Sequence, residues 1–265
     1  MPLIAFTRDV SDRFAECELT HLAREPIDLA RARAQHAAYE AALRACGCEV
    51  RRLGALHQQP DAVFVEDTAL VLDELAVITR PGAKSRRPET DSVAAALGPL
   101  RPLRFLEEPA TLDGGDLLVL GRRVFVGLTT RSNAAAVAQL GEWLEPLGYA
   151  VRGVAVSGAL HLKSAVTPLE AGTLLVNPAW VDSAVFGEPV VVEVHPAEPQ
   201  AANALALGRR AILPAAFPRT AGRVAALGLE VVPVEVGELA KAEGGVTCCS
   251  LIVPAQTRTR PARRE

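Results

Sequence analysis

The chain has 265 residues, 49% of them hydrophobic, and a net charge of −3 from 28 Lys and Arg against 31 Asp and Glu. That length buries a substantial core without disulfide staples, and the faintly acidic balance leaves no basic footprint for nucleic acid. No run approaches the roughly 20 apolar residues of a membrane span, and the apolar stretch opening the chain, Met1 to Thr7 before Arg8, is too short for a signal peptide.

Residues 2–8 read as a strand. Residues 9–26 are polar and irregular, with Leu19, His21 and Leu22 interspersed; a loop this long in a compact domain is expected to be a lid or binding loop. Asp28 is an N-cap just after Pro26, which predicts a helix from about 29 to 45 that Gly47 ends. Residues 48–53 give the next strand. From there a unit repeats. Val63-Phe64-Val65 is an apolar run ending in Glu66 and Asp67. Strands at 69–72 and 76–79, a helix near 90–97 and a strand at 103–106 follow. Thr111-Leu112-Asp113-Gly114-Gly115 heads a second course, with strands 116–120 and 123–128, a helix over 133–145 and a strand at 149–155. A third starts at His161-Leu162-Lys163, with strands near 165–168 and 172–176, a short helix near 179–185 and a strand at 190–194. The fourth starts at Ala202-Asn203-Ala204-Leu205, with strand 210–214, helix 219–227 and strand 230–236. A fifth starts at Cys248, and the N-terminus supplies its missing helix and strand.

The spacing of the head residues supports a repeat. Asp67 to Asp113 is 46 residues, Asp113 to His161 is 48, His161 to Asn203 is 42 and Asn203 to Cys248 is 45. Strand-rich periods of this length point to a closed propeller-like array. Because each unit also carries a helix, the expected fold is α/β, a five-unit ring closed between the two termini. An ordinary doubly wound sheet fits less well, since strand pairs separate the helices and no glycine-rich fingerprint follows the first strand.

In such a ring the heads of all units converge on the axis. Glu66/Asp67, Asp113, His161, Asn203 and Cys248 then bring acid, imidazole, amide and thiol together. Cysteine with histidine is an activated nucleophile beside a general acid/base, and carboxylates suit a planar cation such as guanidinium. Singly, each has a plainer reading: Asp113 before two glycines as a turn residue, His161 as a satisfied core histidine, Cys248 as a buried small hydrophobe. Gly244-Gly245 ahead of the thiols offers freedom at positive φ and close backbone approach. The five cysteines, at 17, 46, 48, 248 and 249, are odd in number and uneven, as in a reducing cytoplasm. Zinc on Cys248, Cys249 and His161 is disfavoured because no metal-ligand spacing is present.

At this point the motifs are recognisable. Pro60-Asp61-Ala62-Val63-Phe64-Val65-Glu66-Asp67, Ile78-Thr79-Arg80-Pro81-Gly82-Ala83 with Ser85-Arg86-Arg87, and Leu112-Asp113-Gly114-Gly115-Asp116 come first. Thr130-Arg131-Ser132-Asn133, His161-Leu162-Lys163-Ser164 and Gly244-Gly245-Val246-Thr247-Cys248 follow. In this order they resemble the dimethylarginine dimethylaminohydrolases, a family of guanidino-modifying enzymes with the pentein fold, over nearly the whole chain. The resemblance implies hydrolysis of methylated arginines to citrulline through a covalent thiouronium intermediate, without cofactor or metal. It assigns Cys248 as nucleophile, His161 as general acid/base, and Asp113, Glu66 and Asp67 to the guanidinium. Arg86 and Arg131 match residues that hold the substrate α-carboxylate. Asp61, Phe64 and Leu19 lie along the substrate, and Ala242 stands where relatives carry a larger aliphatic residue. Asn203 matches a structural Ala-Asn pair. The catalytic domain is expected over 1–256 and a basic tail over 257–265. The expected partner is the small-molecule substrate, with no nucleic acid or membrane and a homodimer left open. Cys249 is expected to be dispensable, as the next strand residue facing the other way. Arginine deiminase or amidinotransferase chemistry is the alternative within the fold, although those relatives are generally longer. A ribosome-binding pentein would need no thiol, imidazole and carboxylate set.

Overall fold

A computed structural model describes residues 3–170 and 172–255; the expected basic tail lies outside them. The chain begins with β1 (Leu3–Thr7), α1 (Leu29–Ala45) and β2 (Cys48–Arg52). As predicted, the Asp28 side chain caps α1 by accepting from Arg31 N at 3.0 Å, and Gly47 leaves the helix at φ +92. The first repeat holds β3 (Ala69–Val71), β4 (Ala76–Ile78), α2 (Thr90–Leu97) and β5 (Leu103–Phe105). The second holds β6 (Leu117–Leu120), β7 (Arg123–Leu128), α3 (Ala134–Leu144) and β8 (Ala150–Ala155). The third opens with the one-turn helix α4 (Leu162–Ala165) and continues through β9 (Val166–Pro168), β10 (Thr173–Val176) and β11 (Val190–Glu193). The fourth holds β12 (Leu205–Leu207), β13 (Arg210–Pro214), α5 (Pro218–Ala225) and β14 (Glu230–Val234). The short helix α6 (Gly237–Ala240) then leads to β15 (Leu251–Pro254).

These strands form five separate three-stranded sheets, each with one antiparallel and one parallel pairing. The expected closure is present: β1 lies between β15, antiparallel with Leu3 opposite Pro254, and β2, parallel with Leu3 opposite Cys48. The first strand of every unit (β3, β6, β9, β12 and β15) contributes residues to one axial channel, so the sheets are arranged as a ring. Successive strand residues face opposite sides, and here both sides are buried. Ile4 and Phe6 enter one apolar cluster while Ala5 enters another; Leu174 and Leu175 divide in the same way. The core is therefore five clusters, one between each pair of neighbouring units. This is why the strands read as continuous apolar runs rather than alternating ones.

The chain departs from expectation in three places. The apolar run Val63–Val65 leads into a 3₁₀ turn, Val65–Thr68, which swings Glu66 and Asp67 toward the axis. The third unit's helix is reduced to a 3₁₀ turn, Ser183–Phe186. Phe186 anchors it edge-on to Phe125 at 5.0 Å, and the uncovered β11 leaves Val190 61% exposed. Strand β12, which follows directly on the head Ala202-Asn203-Ala204-Leu205, was not anticipated. Among the described residues no helix is long and apolar enough to cross a membrane.

Candidate active site

Each unit's head residue sits on a turn feeding a first strand, which fixes its backbone on the axis. Cys248 lies on the turn before β15, where its carbonyl accepts from Glu66 N at 3.1 Å and its Sγ accepts from Gly245 N at 3.3 Å. His161 immediately precedes α4 with extended backbone. Cys248, His161, Asp67, Asp61, Phe64, Arg86, Arg131 and Ala242 all line one cleft. The cleft is narrow, about 20 Å³, room for roughly one water.

The histidine is held by carboxylates. Its Nε2 lies 3.1 Å from Asp113 Oδ2, and its Nδ1 lies 4.0 Å from Asp67 Oδ1. Asp113 is wholly buried behind the ring and also accepts from Gly82 N at 2.9 Å. Asp67 accepts from Gly115 N at 2.9 Å and from Arg86 Nη1 at 2.5 Å. A Cβ on Gly115 would stand 2.6 Å from His161 Nδ1, so only glycine leaves room for the imidazole there. Asp116, the last residue of the Asp-Gly-Gly-Asp motif, accepts from Leu162 N at 2.9 Å and fixes the turn that carries His161.

These contacts set the charges. Burial opposes protonation of His161, yet Asp67, Asp116 and Asp113 outweigh it and raise the imidazole to about 9. Burial alone would raise Asp67, but His161 and Arg86 bring it down to about 2. Burial, then the negative charges of Glu66 and Asp67, push the Cys248 thiol up to about 12. At neutral pH the unliganded site thus holds a thiol beside an imidazolium. Asp67, Asp113 and His161 bring possible ligand atoms within 4.8 Å of one another. A metal ion there would have to displace the Arg86 guanidinium from Asp67 and the proton shared by His161 and Asp113.

The sequence-predicted residues are not all at the cleft wall. Glu66 turns away: its carboxylate accepts from Lys163 Nζ at 2.6 Å and Thr247 Oγ1 at 2.7 Å. It borders the axial channel of about 220 Å³ on the opposite face, so it does not flank a guanidinium in the cleft. Asp113 supports His161 rather than lining the cleft. Arg86 borders the cleft, but its nitrogens are engaged by Asp67, Glu89 and the carbonyls of Phe64 and Asp61. These contacts make Arg86 a support of Asp67. Arg131 is freer, with Nη2 on Thr20 Oγ1 at 3.2 Å and Nη1 3.8 Å from Asp113. Leu19 packs on the apolar cluster beneath the lid rather than lining the cleft. Asn203 ties three units, donating to Lys163 O and Thr247 Oγ1 and accepting from Thr247 N.

The two glycines before the thiol act by closeness. Neither has positive φ; a Cβ would meet the Phe64 ring at 2.2 Å from Gly244 and Asn203 Oδ1 at 2.3 Å from Gly245. Cys249 is on the same turn, not in a strand, so strand alternation does not govern it. It is nevertheless fully buried, in the cluster with Tyr39. Asp116 and Lys163 were within quoted motifs but carried no assigned role; their fixed offsets from Asp113 and His161 were the available signal.

A thiol, an imidazolium and buried carboxylates on the axis of a five-unit α/β-propeller define a guanidino-modifying pentein. A family model described as N,N dimethylarginine dimethylhydrolase, eukaryotic, matches residues 12–165. The N(G),N(G)-dimethylarginine dimethylaminohydrolase of Streptomyces coelicolor is 44% identical over 249 residues, 93% of this chain and 95% of that protein. A solved structure of the Pseudomonas aeruginosa enzyme, a cysteine-to-serine mutant complexed with citrulline, aligns with a TM-score of 0.89 at 32% identity. It covers 96% of this chain and 100% of that one. A histidine variant of a dimethylarginine dimethylaminohydrolase in adduct with S-methyl-L-thiocitrulline aligns at TM-score 0.90 and 33% identity, with the same coverage. The chain belongs to the dimethylarginine dimethylaminohydrolase family.

Proposed function

We propose that this chain hydrolyses Nω-methylated arginines to citrulline and dimethylamine or methylamine, with Cys248 as nucleophile and His161 as general acid and base. The observation that carries this reading is the shared cleft of Cys248 and His161 beside the Asp67 carboxylate. The thiol is protonated at neutral pH because burial and two carboxylates disfavour a thiolate. A bound guanidinium cation supplies the opposite field and favours ionisation, the thiol proton passing to water. The thiolate then attacks the central guanidinium carbon, and the imidazolium of His161 gives its proton to the departing amine. This leaves an S-linked thiouronium and a neutral imidazole. His161 next takes a proton from water as the water adds to the same carbon, and collapse, with the hydroxyl proton passing to the departing sulfur, releases citrulline and restores the Cys248 thiol. Asp67 holds the guanidinium in plane, while Asp113 keeps the imidazole oriented and charged. Arg131 and Asp61 recognise the amino-acid end. The five free thiols support a reducing, cytoplasmic setting.

A product assay with asymmetric dimethylarginine, monomethylarginine and arginine side by side tests the reading. Citrulline with dimethylamine from the first is expected. Citrulline with ammonia from arginine alone would replace it with deiminase chemistry.

A further inference from the structure

Residues 8–28 run beside the cleft, which Glu18 borders, and their first part is rooted in the core by Val10, Phe14 and Cys17, all buried. The later part is exposed and is fastened by side chains from elsewhere. Asp61 accepts from Glu18 N at 3.1 Å, Ser85 donates to Glu18 at 2.6 Å, and Arg131 reaches Thr20. The tip is held by one residue. The carboxylate of Glu243 accepts the backbone N–H groups of three consecutive residues: Thr20 at 3.1 Å, His21 at 2.5 Å and Leu22 at 2.7 Å.

The backbone of Glu243 adds a second observation. It is the one non-glycine residue with positive φ among those described, at +58. Glycine is the default there, so a long acidic side chain is kept against the backbone's preference. Glu243 also stands between two cavities. It lines the catalytic cleft and, with Leu160 and Gly244, the wall of a neighbouring cavity of about 240 Å³ whose roof includes His21 and Leu22 of the lid. A cleft of about 20 Å³, walled by Glu18 of this segment and by Glu243, has room for about one water, so admitting an arginine-sized molecule requires one of those walls to move.

We propose that Glu243 is the latch of this lid. It is a positioning residue that sets the closed state over Cys248 through three backbone N–H groups. Opening breaks those bonds and joins the cleft to the larger cavity, and closing over bound substrate restores them. The inference rests on the methylarginine reading for its kinetic readout only.

The test compares full-length Glu243→Ala and Glu243→Gly with the parent. In the absence of substrate, alkylation of Cys248 by iodoacetamide should accelerate about tenfold in both variants, the scale of one net charge-assisted hydrogen bond. Cys248→Ser versions supply the background from the other thiols. Amide exchange at Thr20, His21 and Leu22 should quicken by a similar factor, and KM for asymmetric dimethylarginine should rise about tenfold with a smaller fall in kcat. Glycine relieves the positive φ, so a purely backbone role predicts that Glu243→Gly behaves like the parent. Parent-like alkylation and exchange in Glu243→Gly would overturn the latch. If the parent itself fails to turn over methylarginine, the proposed function falls, while alkylation and exchange still decide the latch.

Discussion

His161 Nε2 lies 3.1 Å from Asp113 Oδ2, and that carboxylate has no exposure to solvent. Asp67, then Asp116 and this hydrogen-bonded Asp113, turn a residue that ordinarily loses its proton near 6.5 into one that keeps it to about 9. Stability follows with a definite sign. Because the folded pKa is raised, the contribution of protonated His161 is complete below pH 6.5 and is lost as pH climbs through 9. Thermal melts from pH 6 to 10 should show a decline in Tm across that window that is absent in His161→Ala.

Asp113→Asn keeps the shape but removes the charge facing the imidazole. The His161 pKa should fall, moving the alkaline limb of the kcat profile to lower pH. Turnover should drop by about 10²-fold, the low end of general acid–base contributions. A pH–rate profile separates this from a loss of fold, which would lower activity without moving the limb.

Gly115→Ala should be nearly as damaging although it touches no substrate. Its Cβ would sit 2.6 Å from His161 Nδ1 and 3.0 Å from Asp67 Oδ1, closer than packed atoms allow. Activity is expected to fall more than about 10²-fold, the cost of misplacing a reacting group. Normal citrulline production by this variant would show that the imidazole acts from another position.

Cys248→Ser should abolish turnover, whereas Cys249→Ala should retain kcat within a few-fold and lose stability by about 1 kcal/mol as a buried side chain is trimmed. Mass spectrometry after alkylation by a substrate-like reagent should find the adduct on Cys248.

On the opposite face, the Glu66–Lys163 pair is mostly buried, and Glu66 also receives Thr247. Lys163→Met leaves that carboxylate without its cation and should destabilise the fold by about 3 kcal/mol. The double variant with Glu66→Gln should recover much of the loss. Urea unfolding of the four proteins gives the coupling directly.

Much of this architecture was legible from spacing, because a unit of fixed length needs a fixed number of residues to cross the ring and return. Asp67, Asp113, His161, Asn203 and Cys248 could be aligned for that reason. The direction of a side chain beside the axis was not legible. Glu66 and Asp67 are adjacent, and a 3₁₀ turn sends one to each face, whereas the motif they share assigns both to the guanidinium. Arg86 is assigned to a substrate anion by the resemblance alone; that Glu89, three residues on, takes up its guanidinium depends on a turn geometry that residue types do not reveal. Glu243 carried no signal at all. Its partners are about 220 residues away, and they are backbone groups, which no residue type marks.

The placement of β1 between β15 and β2 has a consequence for how the protein comes into being. Synthesis delivers β1 and α1 first, but the strand that completes their sheet arrives only with Leu251–Pro254. Until then four units are present with an open seam, and the apolar side chains of Ile4, Phe6 and Val65 lack the cover of Leu251 and Val253. The turn bearing Cys248 is made in the same final stretch. Nucleophile and seam are thus completed together, and the ring cannot shut before the residue that carries the chemistry has been made.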